Sequence, residues 1–156
     1  MQVSIVAFNA AEFHAALSAK FPDINYHLAD SKVDFAPEIY DSDVIIFFGT
    51  QGSDVLYRQC LNLKWIQALG TGVDGITDQQ ELSRDVIVTN MRGIHGPQCA
   101  EMALLLMMTL GRRIVGAVHS QMERSWARQP GSILDGKTVG IFGIGVIGEA
   151  LAKRCR

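Results

Sequence analysis

The chain has 156 residues, 48% of them hydrophobic and 19% charged, with a formal net charge of −2; such a composition belongs to a globular protein and excludes a disordered, fibrous or mucin-like chain. No basic block is longer than Arg112-Arg113 or Lys153-Arg154, so the electrostatic footprint that a phosphate backbone requires is missing and no nucleic-acid partner is expected.

Short β-type runs alternate with helix-type stretches from the start. Residues 3–8 (VSIVAF) form a strand candidate, and residues 10 to about 20 follow with Phe13, Ala16 and Leu17 at helical spacing. Phe21-Pro22 should end that helix, because the residue before a proline is pushed out of the helical region. Residues 24–28 suggest a second strand. Residues 44–48 (VIIFF) are a continuous apolar run of β-formers ending at Gly49, the pattern of a strand covered on both faces. Ser53 is placed to cap a short helix over residues 54–61. Residues 65–69 and 86–89 complete five candidate strands, with a helical piece expected around 78–82 between the last two. Strands separated by helices imply right-handed crossovers and a parallel sheet, so residues 1–92 are expected to form one doubly wound α/β domain.

Residues 93–156 begin a second unit. Residues 97 to about 122 are expected to form one long helix, apolar nearly all round in its first part and therefore buried between layers or domains. After Gln129-Pro130-Gly131 the chain turns, residues 137–142 (KTVGIF) form a sixth strand candidate, and a helix starts at Val146. One strand and one helix close no core of their own, so this unit is expected to be the opening of a larger domain. The apolar helix over residues 99–110 and the edge of a lone strand at Val139 favour association, and a homodimer is expected.

Cys60, Cys99 and Cys155 are widely spaced and lack a CxxC or Cys/His cluster, which suits free thiols in a reducing compartment. The first residues lack the basic and apolar regions of a signal peptide. The most apolar stretch, residues 102–110, is far shorter than a bilayer span. A cytoplasmic protein without a membrane partner is expected.

Chemistry concentrates at two glycine loops. Gly143-Ile144-Gly145-Val146-Ile147-Gly148 follows an apolar run and opens a helix. A dinucleotide pyrophosphate is bound by the free N–H groups and positive dipole end of such a helix N-terminus. Gly143 would make the tight turn, Gly145 would let the pyrophosphate approach, and Gly148 would let helix pack against strand. The acidic residue that anchors a ribose would stand about 20 residues further on, past Arg156, so NAD and NADP are both open. The second loop, residues 69–75 (LGTGVDG), lies at the end of a strand candidate, where ligands gather in open α/β sheets. Its amides either form an anion nest for a carboxylate or make a plain strand-to-helix turn capped by Asp74.

The segments LKWIQALGTGVDGI, VIVTNMRGIHGPQCAEMALLLMMTLGRRI and LDGKTVGIFGIGVIGEALAKR, in this order and spacing, resemble the D-isomer-specific 2-hydroxyacid dehydrogenase family. The resemblance implies a flavodoxin-like substrate domain followed by the start of a Rossmann domain. In that family the cleft between the two holds a 2-oxo acid and a nicotinamide cofactor, NAD or NADP. It implies that Thr71 and Gly72 offer amides to the substrate carboxylate, with Thr71 also near the cofactor. It places Val146 and Ile147 on the pyrophosphate; many members carry Arg at the position of Val146, so here binding would rest on backbone N–H groups. Asn90, His95 and Glu101 match polar hinge positions. Asn90 and His95 are candidates for substrate contact, although a hinge histidine such as His95 is more often a structural hydrogen-bonder. Trp126 matches an aromatic expected to pack after the long helix. His14, His27 and His119 have no assigned chemistry.

The family interconverts a D-2-hydroxy acid and its 2-oxo acid by hydride transfer, with a His oriented by a Glu as acid/base and an Arg gripping the carboxylate. By the family pattern these three lie past the glycine turn, where this sequence has no histidine; no catalytic residue is assigned. The expectation is the N-terminal half of a dehydrogenase, inactive alone. The alternative is a non-catalytic nucleotide- or anion-binding fragment.

Overall fold

The computed structural model describes residues 1–29, 36–48 and 54–156. Two compact units divide the chain, Met1–Arg92 and Gly93–Arg156.

In the first unit, β1 (Gln2–Val6), β2 (Asn25–Ala29), β3 (Val44–Phe47), β4 (Trp65–Ala68) and β5 (Ile87–Asn90) form one sheet in the order β2-β1-β3-β4-β5. Every pairing is parallel, as the alternation of strand and helix required. α1 (Ala10–Ser18) joins β1 to β2, and α2 (Asp54–Gln59) joins β3 to β4. A 3-10 turn at Pro37–Asp41, unmarked by any apolar period in the sequence, precedes β3. Alternation along the strands sends Val6, Ile45, Phe47, Ile66 and Ala68 to one face. There they meet Ile39 of the 3-10 turn, Leu56, Tyr57 and Cys60 from the α2 region, and Ile76. Burial in this core pushes the Cys60 thiol up to about 11 and the Tyr57 hydroxyl up to about 12, so both stay protonated. All three cysteines are free thiols; Cys155 is exposed.

Two expectations in this unit need comment. The cap at Ser53 and the strand end at Gly49 lie outside the described residues. The helix expected around residues 78–82 is instead a chain of single turns, with Ile76 N–H donating to Val73, Gln79 to Ile76 and Leu82 to Gln79. The polar run Asp78-Gln79-Gln80-Glu81 offers no helical apolar stripe, and only its flanks Ile76 and Leu82 pack on the core.

The second unit holds α3 (Gly96–Gly111), α4 (Ile114–Met122) and α5 (Val146–Arg154). The single long helix expected here is broken: α3 and α4 meet at 65°. Arg113 takes a left-handed backbone with φ of 53°, ending α3 as a C-terminal cap does. The returning chain fixes the break, because Ser132 N–H donates to the Gly111 carbonyl at 2.7 Å. Within this single chain α3 is little buried, which agrees with its expected drive to associate. Only Gly96 and Ala100 are buried, and Met102, Leu105, Leu106 and Leu110 remain exposed. Trp126, expected to pack, is 97% exposed. Residues 137–142 form no strand among the described residues, because a strand exists only as part of a ladder and no element of this unit supplies the neighbouring rung. No single helix among the described residues is long and apolar enough to cross a membrane.

Candidate functional site

Each unit carries one loop built to present backbone amides. In the second unit, Gly143 has φ of 96°, a conformation that L side chains rarely adopt, and it reverses the chain ahead of α5. Gly148 is buried, and a Cβ there would overlap the Gly143 carbonyl oxygen. Helix and turn thus touch only because Gly148 has no side chain. A Cβ on Gly96 would lie 3.1 Å from Val146 Cγ1 and 3.4 Å from Ala150 Cβ, so α3 and α5 also approach through a glycine.

Gly145 differs. It is the N-cap of α5, with an extended backbone and no side-chain cap bond, and a Cβ on it would meet no atom within 4 Å. Nothing in the fold requires glycine at this position; its missing side chain keeps the approach to the helix N-terminus open. The first N–H groups of a helix have no intrahelical acceptor, and here they belong to Val146 and Ile147, exposed residues beside that opening. Glu149 does not compete for them. It turns along the helix to Lys153 Nζ at 2.7 Å, and that hydrogen bond holds its carboxyl below the usual range. A helix start with open amides, a positive dipole end and its first-turn carboxylate paired with Lys153 fits a pyrophosphate.

In the first unit the chain leaves β4 through Leu69-Gly70-Thr71-Gly72. The Leu69 N–H donates to Phe47 O at 2.8 Å and the Met91 N–H to Gly70 O at 3.1 Å. Asn90 Nδ2 donates to Thr71 O at 2.5 Å. Thr71 and Gly72 are exposed, and an Asp74 Oδ2 atom lies 3.4 Å from where a Gly72 Cβ would stand. No helix follows for Asp74 to cap; the next bonds are the isolated turns at Ile76 and Thr77 onto Val73 O.

Thr71, Gly72 and Asn90 thus cluster in the first unit, and Gly143, Gly145, Val146, Ile147 and Gly148 in the second. His95 is the half-buried N-cap of α3; its carbonyl accepts from Cys99 N–H at 3.1 Å, and its imidazole makes no cap bond. Glu101 lies 3.6 Å from Arg154, an exposed pair of small energetic weight. The Asn90 bond to Thr71 was not legible in the sequence. Its only trace was a polar residue at the end of a strand candidate, beside a glycine loop at the end of another. No group of three or more His, Cys, Asp or Glu able to hold a metal occurs among the described residues.

Residues 104–156 match the family model for the NAD-binding domain of D-isomer-specific 2-hydroxyacid dehydrogenases. The chain is 39% identical over 97 residues to a D-3-phosphoglycerate dehydrogenase of Archaeoglobus fulgidus, covering 61% of this chain and 18% of that protein. It is 39% identical over 95 residues to a hydroxypyruvate reductase of Thermotoga maritima, covering 60% and 31%. A solved D-isomer-specific 2-hydroxyacid dehydrogenase family protein of Aeromonas salmonicida superposes with a TM-score of 0.82 at 27% identity, over 99% of this chain and 49% of that one. The chain therefore spans about half the length of that structure and less of the two curated relatives.

Proposed function

We propose, from the chain's similarity to D-isomer-specific 2-hydroxyacid dehydrogenases, that it belongs to an NAD- or NADP-dependent enzyme of that family, interconverting a D-2-hydroxy acid and its 2-oxo acid. Its residues hold the two anionic ends of the reacting pair. Gly143 and Gly145 let the pyrophosphate reach the N–H groups of Val146 and Ile147, and Gly148 keeps the helix seated against the turn. Thr71 and Gly72 offer amides to the carboxylate, with Thr71 also near the cofactor and His95 a further candidate for substrate contact. When bound, the nicotinamide supplies the hydride acceptor or donor. No proton-transfer group is assigned among these residues. A cytoplasmic homodimer is the expected working form, supported by the exposed apolar faces of α3 and α4.

The observation that carries this reading is the open approach at Gly145 beside the left-handed Gly143. The test is to follow nicotinamide absorbance with NADH and NADPH against glyoxylate, hydroxypyruvate and pyruvate. The intact protein should turn over at least one of these acids, and residues 1–156 expressed alone should turn over none. An intact protein that binds neither cofactor would sink the reading.

A further inference from the structure

We infer that Asn90 is a positioning residue that aims the amides of Thr71 and Gly72 at the substrate carboxylate; this rests on the functional reading above. Two successive carbonyls of the loop are held by the end of β5: Gly70 O by the Met91 N–H at 3.1 Å, and Thr71 O by Asn90 Nδ2 at 2.5 Å. In an extended strand successive carbonyls point to opposite sides, so the ladder alone captures only one of these two. The Asn90 side chain captures the second. No peptide bond in the described structure is cis, and in a trans peptide the C=O of one residue and the N–H of the next point in opposite directions. Holding Gly70 O towards β5 therefore turns the Thr71 N–H away from β5, and holding Thr71 O turns the Gly72 N–H the same way. Two neighbouring N–H groups on one side form an anion-binding nest. Met91 acts through its backbone, which any residue but proline provides, so Asn90 is the side chain on which the second amide depends.

The aspartate variant separates donation from packing. Asn90→Asp keeps the shape and removes the N–H donor, placing an acceptor against the Thr71 carbonyl; Asn90→Ala removes both. In the intact protein, both variants should raise the KM for glyoxylate and the dissociation constant of oxalate, measured with NADH saturating, by about tenfold. The dissociation constant for NADH should stay within about twofold, since the pyrophosphate is assigned to the Val146 and Ile147 amides and Thr71 only borders the cofactor. A working wild type matched by Asn90→Asp would overturn the inference alone, as would NADH affinity falling in step with KM. A wild type that neither reduces glyoxylate nor binds oxalate would overturn the inference together with the functional reading.

Discussion

A Cβ on Gly148 would run into the carbonyl oxygen of Gly143, whereas a Cβ on Gly145, three residues earlier, would touch nothing within 4 Å. The fold therefore demands a glycine at 148 and not at 145, where the proposed function assigns the demand to the cofactor. Gly148→Ala should destabilise the protein by about 1–3 kcal/mol through overpacking, read as a lower urea midpoint. Gly145→Ala should cost less than about 1 kcal/mol, the size of an N-cap effect, yet weaken NADH binding to the intact protein about tenfold, as expected for losing a hydrogen bond to a charged group. The opposite pattern, a stable Gly148→Ala and an unstable Gly145→Ala with normal binding, would refute this division.

Ser4 and Ser42 are fully buried, with their hydroxyl oxygens 2.6 Å apart. Ser42 Oγ donates to Ile39 O at 2.7 Å, and its one proton is thereby used, so Ser4 is the donor to Ser42. Removing the Ser42 hydroxyl leaves the buried Ser4 hydroxyl without its acceptor, while Ile39 O keeps the Ser42 N–H and Cys60 Sγ; removing Ser4 leaves only an acceptor lone pair. Ser42→Ala should cost about 2 kcal/mol and Ser4→Ala about half of that. Chemical denaturation of the two variants gives the order; equal costs, or Ser4 the dearer, would contradict it.

Asp43 accepts from Lys64 Nζ at 2.7 Å and from the Gln2 N–H at 2.9 Å. The Lys64 hydrogen bond, followed by the Gln2 N–H, holds its carboxyl below the ordinary range. A carboxyl with a lowered folded-state pKa adds stability above its unfolded pKa and loses it as pH falls through the folded value. Asp43→Asn should therefore be the less stable protein at neutral pH, and the gap should close below about pH 4, the ordinary carboxylate range. Denaturation curves for both proteins across that interval provide the check; a gap independent of pH would exclude the ion pair as its source.

Leu105, Leu106 and Leu110 on α3 and Val115, Val118 and Met122 on α4 are all exposed. So many exposed apolar side chains favour association. Light scattering should return twice the monomer mass, and Leu106→Glu together with Val118→Glu should shift it to the monomer. A monomer mass for the wild type would refute the homodimer.

What the sequence determined is whatever depends on near neighbours along the chain. The runs at residues 44–47 and 65–68 are strands because their β-branched and apolar residues alternate with helix-type stretches, and parallel pairing follows from that alternation. The turn at Gly143–Gly148 was legible because its glycine spacing falls within six residues, and three ordered segments sufficed to reveal the resemblance that the family model over residues 104–156 shares. The tertiary structure decided what depends on residues brought together from afar. α3 stops at Gly111 because Ser132, 21 residues later, takes its carbonyl. Residues 137–142 carry a strand pattern but form none, since a strand requires a neighbour that this unit does not supply. Asn90 reaches Thr71 across 19 residues because β5 lies beside β4 in the sheet. Periodicity and steric demand are local and can be read in order along a chain; hydrogen-bond partners are set by which strand ends lie side by side, and only folding fixes that.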